Sequence, residues 1–231
     1  MLVTSWTCAL PNGQTSEELA VQIDESRDAR VLVLPALFDE ANKLRRQAVE
    51  VMRRLDLAGI DTFLPGLPGM NESLVPLDSL SLTHWTAAAD AAGQHCNATH
   101  VLTWRGGAIL APANLPGWQY APVGGAKLLR SMLRARTISA REAGREETLA
   151  ELQELGRTQG IELAGWQLSA AMFSALETAE PVSTPQQLTI AQSDLGGTGL
   201  WLRAEPDENL EQADALAEII ARSLGVGEAD A

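Results

Sequence analysis

The chain has 231 residues, 45% apolar and 20% charged, which is ordinary usage for a globular protein with a core to bury. A formal net charge of −13 and a pI near 4.6 set up a field that repels phosphate backbones, which argues against nucleic acid as a partner. Only Cys8 and Cys96 are present, without a CxxC or Cys/His ladder, so neither a disulfide framework nor a metal site is expected, and no cofactor is called for. No basic-then-apolar leader and no run near the roughly 20 apolar residues of a membrane span can be found, so a soluble cytoplasmic protein is expected.

Residues 3–10 and 18–23, on either side of Pro11-Asn12-Gly13, predict a short hairpin. Residues 29–35 (ARVLVLP) are a continuous apolar run, the pattern of a parallel strand covered on both faces. A helix over 42–59 follows: Leu44, Ala48, Val51, Met52 and Leu55 share one stripe, Arg45, Arg46, Glu50, Arg53 and Arg54 fall elsewhere, and Gly59 stops it. A strand at 60–64 ends in the PGLPG loop, a helix spans 80–92, and a third strand spans 100–104. This βαβαβ order predicts an α/β fold, a mostly parallel sheet with flanking helices.

Residues 110–122 are rich in Pro, Gly and aromatics, while 126–136 and 140–156 read as helices with no clean strand between them. They predict a helical cap, about residues 118–180, inserted in a single domain spanning 1–231. Strand character returns at 187–192 and 198–203. A helix at 207–224, acidic in its first turn, carries Leu210, Ala213, Leu216, Ile219, Ile220 and Leu224 on one stripe, and a frayed acidic tail follows Gly225.

Residues 38–46 (FDEANKLRR) resemble, one residue shorter, the FxEExNKxRR stretch of the second type of exosortase A system-associated hydrolases. Residues 64–69 (LPGLPG), 118–129 (WQYAPVGGAKLL), similar to that family's WQPVxSGxxxL, and 163–169 (LAGWQLS) extend the resemblance over about residues 30–224. It implies an α/β-hydrolase-like fold with a cap and a setting in bacterial exopolysaccharide production and exosortase sorting. It does not by itself imply catalysis.

Serine hydrolases of that superfamily present their nucleophile on a G-x-S-x-G elbow, whose small flanking residues permit the tight turn. No such pentapeptide occurs here. After the third strand the chain reads Thr103-Trp104-Arg105-Gly106-Gly107, which puts Arg105 at the elbow, and a guanidinium is no nucleophile. Residues 108–116 read as strand and loop where the superfamily has a long helix, which leaves the oxyanion hole in doubt. His84, His95 and His100 all precede the place of a triad histidine and read as solvated or core positions, and Asp194 stands at the acid position without partners.

The candidate ligand-binding residues are therefore polar groups at loop and helix starts. Arg105, beside Gly106 and Gly107, suits either bidentate binding of a carboxylate or phosphate or a buried ion pair. Asp39, Glu40 and Asn42 follow the first core strand, where open α/β sheets bind ligands, and suit helix capping equally well. Lys127, Arg130 and Arg134 share a helix face, followed by Arg136, Arg141 and Arg145, and fit either an anionic partner or solvated ion pairing. Trp118, Tyr120 and Trp166 are either cap packing or a sugar platform.

Three functions compete. The first is a degenerate α/β-hydrolase that acts as an accessory protein by binding a small molecule or an anionic glycan or lipid-linked ligand. The second is an esterase- or thioesterase-like hydrolase whose carboxylates, Asp39 or Glu40 with Asp194, do the acid–base work. The third is an interaction protein, a homodimer formed through an exposed face at Leu128, Leu129, Met132 and Leu133.

Overall fold

Strands made of Leu and Val at almost every position need cover on both faces, and the fold provides it. The computed structural model describes residues 1–10 and 13–226, so Pro11 and Asn12 of the expected turn and the tail beyond 226 lie outside the described residues. β1 (Leu2–Ala9) and β2 (Thr15–Ile23) pair antiparallel as expected. β3 (Arg30–Leu34), α1 (Asp39–Leu57), β4 (Asp61–Pro65), α2 (Leu82–His95) and β5 (His100–Trp104) make the βαβαβ unit. Then come β6 (Gly117–Tyr120), α3 (Gly125–Glu142), α4 (Leu149–Thr158), the small hairpin of β7 (Ile161–Leu163) and β8 (Trp166–Leu168), and α5 (Ala170–Thr178). β9 (Gln187–Ile190), α6 (Gln192–Leu195) and α7 (Leu210–Ser223) end the chain.

The main sheet runs β1-β2-β4-β3-β5-β6-β9, parallel from β4 to β9 and antiparallel at β1 and β2. Alternation along each strand divides the core in two. Leu32, Leu34, Phe63 and Val101 face α2, α3 and α5, whereas Val31, Val33, Leu64, Leu102 and Trp104 face α1 and α7. The α1 stripe places Leu44, Ala48, Val51, Met52 and Leu55 against that second face, and each large apolar side chain buried there contributes about 1.5–3 kcal/mol. Buried Gln47 ties α1 to α7, donating to Asn209 O at 2.9 Å and accepting from Asn209 N at 2.8 Å.

Several expectations need correction. Residues 117–120, expected at the head of the cap, form a central strand, and Gly117 is required because a Cβ there would come 1.9 Å from Val101 O. The segment between β6 and β9 is not purely helical, since β7 and β8 interrupt it. Residues 198–203 form no strand: Gly196 and Gly197, at φ 72° and 66°, turn the chain off the sheet into a 3-10 turn at Leu200–Leu202. Leu128, Leu129, Met132 and Leu133, expected as an exposed dimer face, are all buried where α3 packs on α5 and on the turn after β5. No described helix is long and apolar enough to cross a membrane.

Candidate functional site: an elbow without a nucleophile

The chain leaves β3 for β4 on one side and then crosses back over β3 to reach β5 on the other. Strand order therefore reverses between β3 and β5, and the crevice at their carboxyl ends is where open α/β sheets bind ligands. Two turns meet there. After β5, Arg105 adopts φ 52°, a left-handed conformation costing a non-glycine residue about 1–3 kcal/mol. The glycines that follow allow close approach: a Cβ on Gly107 would lie 2.3 Å from Pro35 O, and one on Gly106 would lie 2.6 Å from Leu128 Cδ1. The elbow's sharp turn is thus present, with arginine at its apex. A six-residue 3-10 turn, Arg105–Leu110, follows in place of a long helix.

The Arg105 side chain is only 8% exposed, and its fork is occupied. Nε donates to Glu40 Oε2 at 3.0 Å and Nη2 to Glu40 Oε1 at 3.1 Å, while Nη1 donates to Ala121 O at 2.9 Å. The ring of Trp201 lies 4.0 Å from Cζ, a cation–π contact of about 0.5–2 kcal/mol. Trp201 sits edge-on to Tyr120 at 6.0 Å, and Tyr120 sits edge-on to Trp104 at 5.0 Å. Burial pushes the Tyr120 hydroxyl well above the usual phenol range, with Arg105 pulling weakly the other way, so it remains a protonated donor to Gln192 Oε1.

The other candidates are dispersed. Asp39 is exposed and pairs with Lys43 at 2.7 Å, Asn42 is exposed on α1, and α1 begins at Phe38 without a side-chain cap. Asp194 is exposed and accepts from Ala191 N at 2.7 Å, as the cap of α6. Of the three carboxylates, two therefore face solvent and the third holds a guanidinium. Trp118 lies in the sheet rather than the cap and stacks on His100 at 5.5 Å, while Trp166 packs on Phe38 at 5.9 Å.

No histidine serves the elbow. His100 begins β5, at the strand end opposite Arg105, and burial lowers its pKa, favouring the neutral ring. His95 packs against Trp6 and Phe63. One serine–histidine contact exists: Ser81 Oγ lies 3.0 Å from His84 Nδ1. That nitrogen also accepts the Ser81 backbone N–H at 2.9 Å, so the pair is a local cap at the start of α2, with no acid on the other ring nitrogen among the described residues. Nor do the described residues bring together three or more His, Cys, Asp or Glu able to hold a metal.

Beside the elbow, Phe38, Glu40, Lys43, Ser131, Met132 and Trp201 line a cleft of about 110 Å³ between sheet and cap. On the outer face of α3, Lys127, Arg130, Arg134 and Arg141 are exposed. Among the described residues they alone of the lysines and arginines have no carboxylate within ion-pair distance. Arg136 and Arg145, which follow in sequence, share Glu147. Sequence reasoning found Arg105 and Glu40 separately but missed Trp201 and Ala121 O, because their approach depends on how far the chain travels after β6 and β9.

No family model matches the chain, and no curated protein matches it by sequence. Solved structures do. Mouse alpha/beta hydrolase domain-containing protein 10 is 9% identical, with 97% of this chain and 99% of that one covered at a TM-score of 0.57. The esterase domain of a Rhodothermus marinus protein is 10% identical, with 96% and 98% covered at 0.52. The alpha/beta hydrolase GrgF from Penicillium sp. sh18 is 10% identical, with 97% of both chains covered at 0.52. At such identities the likeness speaks for architecture alone, and with the reversed strand order at β3 and β5 it establishes that the chain has the α/β-hydrolase fold.

Proposed function

We propose that the chain is a catalytically silent α/β-hydrolase-fold protein that works by binding. One observation carries this reading: the elbow residue is Arg105, and its donors are taken up by Glu40 and Ala121 O under the Trp201 ring. A serine there would need a base within reach, and Trp201 occupies the space over the turn instead. The exposed cations of α3 supply a means of binding, since they concentrate uncompensated positive charge on one helix face of an otherwise acidic molecule. An anionic glycan or lipid-linked ligand suits that face, and the resemblance to exosortase-associated hydrolases suggests an accessory role in exopolysaccharide-linked metabolism. The carboxylate-based hydrolase is not favoured, because Asp39 and Asp194 are exposed and Glu40 is committed to Arg105.

The test is twofold. Purified chain incubated with p-nitrophenyl butyrate is expected to release nitrophenol no faster than buffer. Turnover that persists in Arg105→Ala, or that disappears in Ser81→Ala, would overturn the silent reading. A short oligogalacturonate is expected to bind, with affinity falling as salt rises and at least tenfold in Arg130→Glu/Arg134→Glu, given roughly 1 kcal/mol or more per reversed contact. Binding indifferent to both salt and the double substitution would remove α3 from the proposal.

A further inference from the structure

A cavity of about 510 Å³ opens at the amino end of the sheet, between α2 and the loop at 112–115 that leads into β6. That volume falls within the roughly 300–1,000 Å³ of small-molecule sites. The cavity lies at the opposite end of β5 and β6 from Arg105 and Ala121, so it is separate from the elbow and the cleft beside it. Its loop wall is pinned from within: Gln187, 8% exposed, donates from Nε2 to Pro112 O at 2.8 Å and to Leu115 O at 2.9 Å. A Cβ on Gly93 would come 3.6 Å from Leu115 Cδ1, so α2 runs close against that loop.

Four polar residues line this cavity. Asp90 and Gln94 fall four apart on α2, Asn97 follows three later just past its end, and Asn114 comes from the loop. None of these side chains has a hydrogen-bond or ion-pair partner among the described residues. Asn97 stands at φ 49°, a left-handed position usually given to glycine, so the turn that ends α2 carries a carboxamide where the backbone needs no side chain. Burial pushes the Asp90 carboxyl above the usual carboxylate range, and no donor pulls it back.

The chemistry of these groups selects the ligand. Each carboxamide both donates and accepts, and the carboxylate accepts only. A hydroxyl also does both, so a ring bearing several hydroxyls can serve all four residues while its C–H surface meets Pro112 and Leu115. An anion would meet Asp90, no cation on the lining, and the field of a chain carrying −13. An ammonium would engage the oxygens and leave three carboxamide NH₂ groups unused. A hydrocarbon would desolvate four polar side chains and pair none of them. We propose that this cavity binds a neutral sugar, one hexopyranose ring held by Asp90, Gln94, Asn97 and Asn114.

Titration of ¹⁵N-labelled chain with the methyl α-pyranosides of glucose, mannose and galactose tests this without reference to catalysis or to α3. The side-chain amide resonances of Gln94, Asn97 and Asn114, each assigned by its loss in the matching alanine variant, are expected to shift saturably with at least one glycoside. The usual ligand efficiency for a molecule of that size gives a dissociation constant on the order of 1 mM. Asp90→Asn, at an exposed position, is expected to weaken binding roughly tenfold, and Asn114→Ala about threefold. Affinity is expected to stay level as salt rises and in Arg130→Glu/Arg134→Glu, which separates this site from the cations of α3. Amide signals unmoved by all three glycosides at roughly a hundred times that concentration would overturn the site, as would affinity unchanged in both Asp90→Asn and Asn114→Ala. Protonated glucosamine bound roughly tenfold more tightly than the glycosides would overturn the choice of a neutral ring.

Discussion

Two turns at the carboxyl edge of the sheet hold a bulky residue at positive φ, and they do so by different means. After β3, Phe38 sits at φ 56°, 2% exposed, wedged against Trp85 at 5.6 Å and Trp166 at 5.9 Å. After β5, Arg105 sits at φ 52°, held by a bidentate ion pair, a backbone carbonyl and an aromatic face. Strain of this kind survives only where the surroundings over-determine it. In the first turn apolar packing does so, drawing on α2 and the β8 strand. In the second, a polar network does so, with its parts drawn from α1, the end of β6 and the turn before α7. A hydrolase spends the strain of its elbow on exposing a hydroxyl; here the same strain is retained and the apex is tucked under Trp201.

The largest effect is expected from removing the wedge. Phe38→Ala should cost about 3–5 kcal/mol, the range for deleting a buried phenylalanine and leaving a cavity, read as a fall in the urea midpoint at constant m-value. A loss under about 1 kcal/mol would mean that Trp85 and Trp166 close over the gap and that the turn after β3 does not depend on its aromatic.

Next comes the polar turn. Glu40→Ala strands the Arg105 guanidinium, which can still bond Ala121 O, and Glu40 itself retains 18% side-chain exposure. About 1–3 kcal/mol is expected, below the full cost of an unpaired buried charge. A double-mutant cycle sharpens the contrast: Glu40→Ala and Arg105→Ala should couple by about 1 kcal/mol or more, whereas Phe38→Ala and Glu40→Ala, on adjoining elements but sharing no bond, should come closer to adding. Coupling between Phe38 and Glu40 as large as that between Glu40 and Arg105 would make the two turns one unit and dissolve the comparison.

How far these turns could be read from sequence follows the range of the signal. The run at 30–34 and the α1 stripe are local patterns, and both appear as expected. Arg105 at the elbow was legible because motif and strand end are contiguous. β6 was not: four residues, GWQY, opening with a glycine, become a strand only because β5 and β9, distant in sequence, pair on either side of them. Trp201 was hidden for a related reason. It lies in a stretch whose β-like composition suggested a strand, and only the turn at Gly196 and Gly197 sends it over the guanidinium. The buried stripe of Leu128, Leu129, Met132 and Leu133 has the same pattern whether it meets a second copy or its own chain.

The smallest expected effect isolates the backbone from the side chains. At Arg105, replacing the side chain with Ala removes the network but keeps a Cβ at φ 52°, whereas Gly removes both, so Arg105→Gly should be more stable than Arg105→Ala by roughly 0.5–1 kcal/mol despite the greater chain entropy of glycine. The same pair of substitutions at Phe38, φ 56°, should show a difference of the same sign, since both φ angles are positive, even though the absolute losses there are larger. Chemical denaturation of the four variants measures it. Equal Gly-over-Ala gains at both positions would show that the two turns carry the same backbone strain and differ only in what holds it. A gain at Phe38 with none at Arg105 would mean that the elbow relaxes once its network is cut, so that the ion pair with Glu40 creates the strained apex as well as holding it.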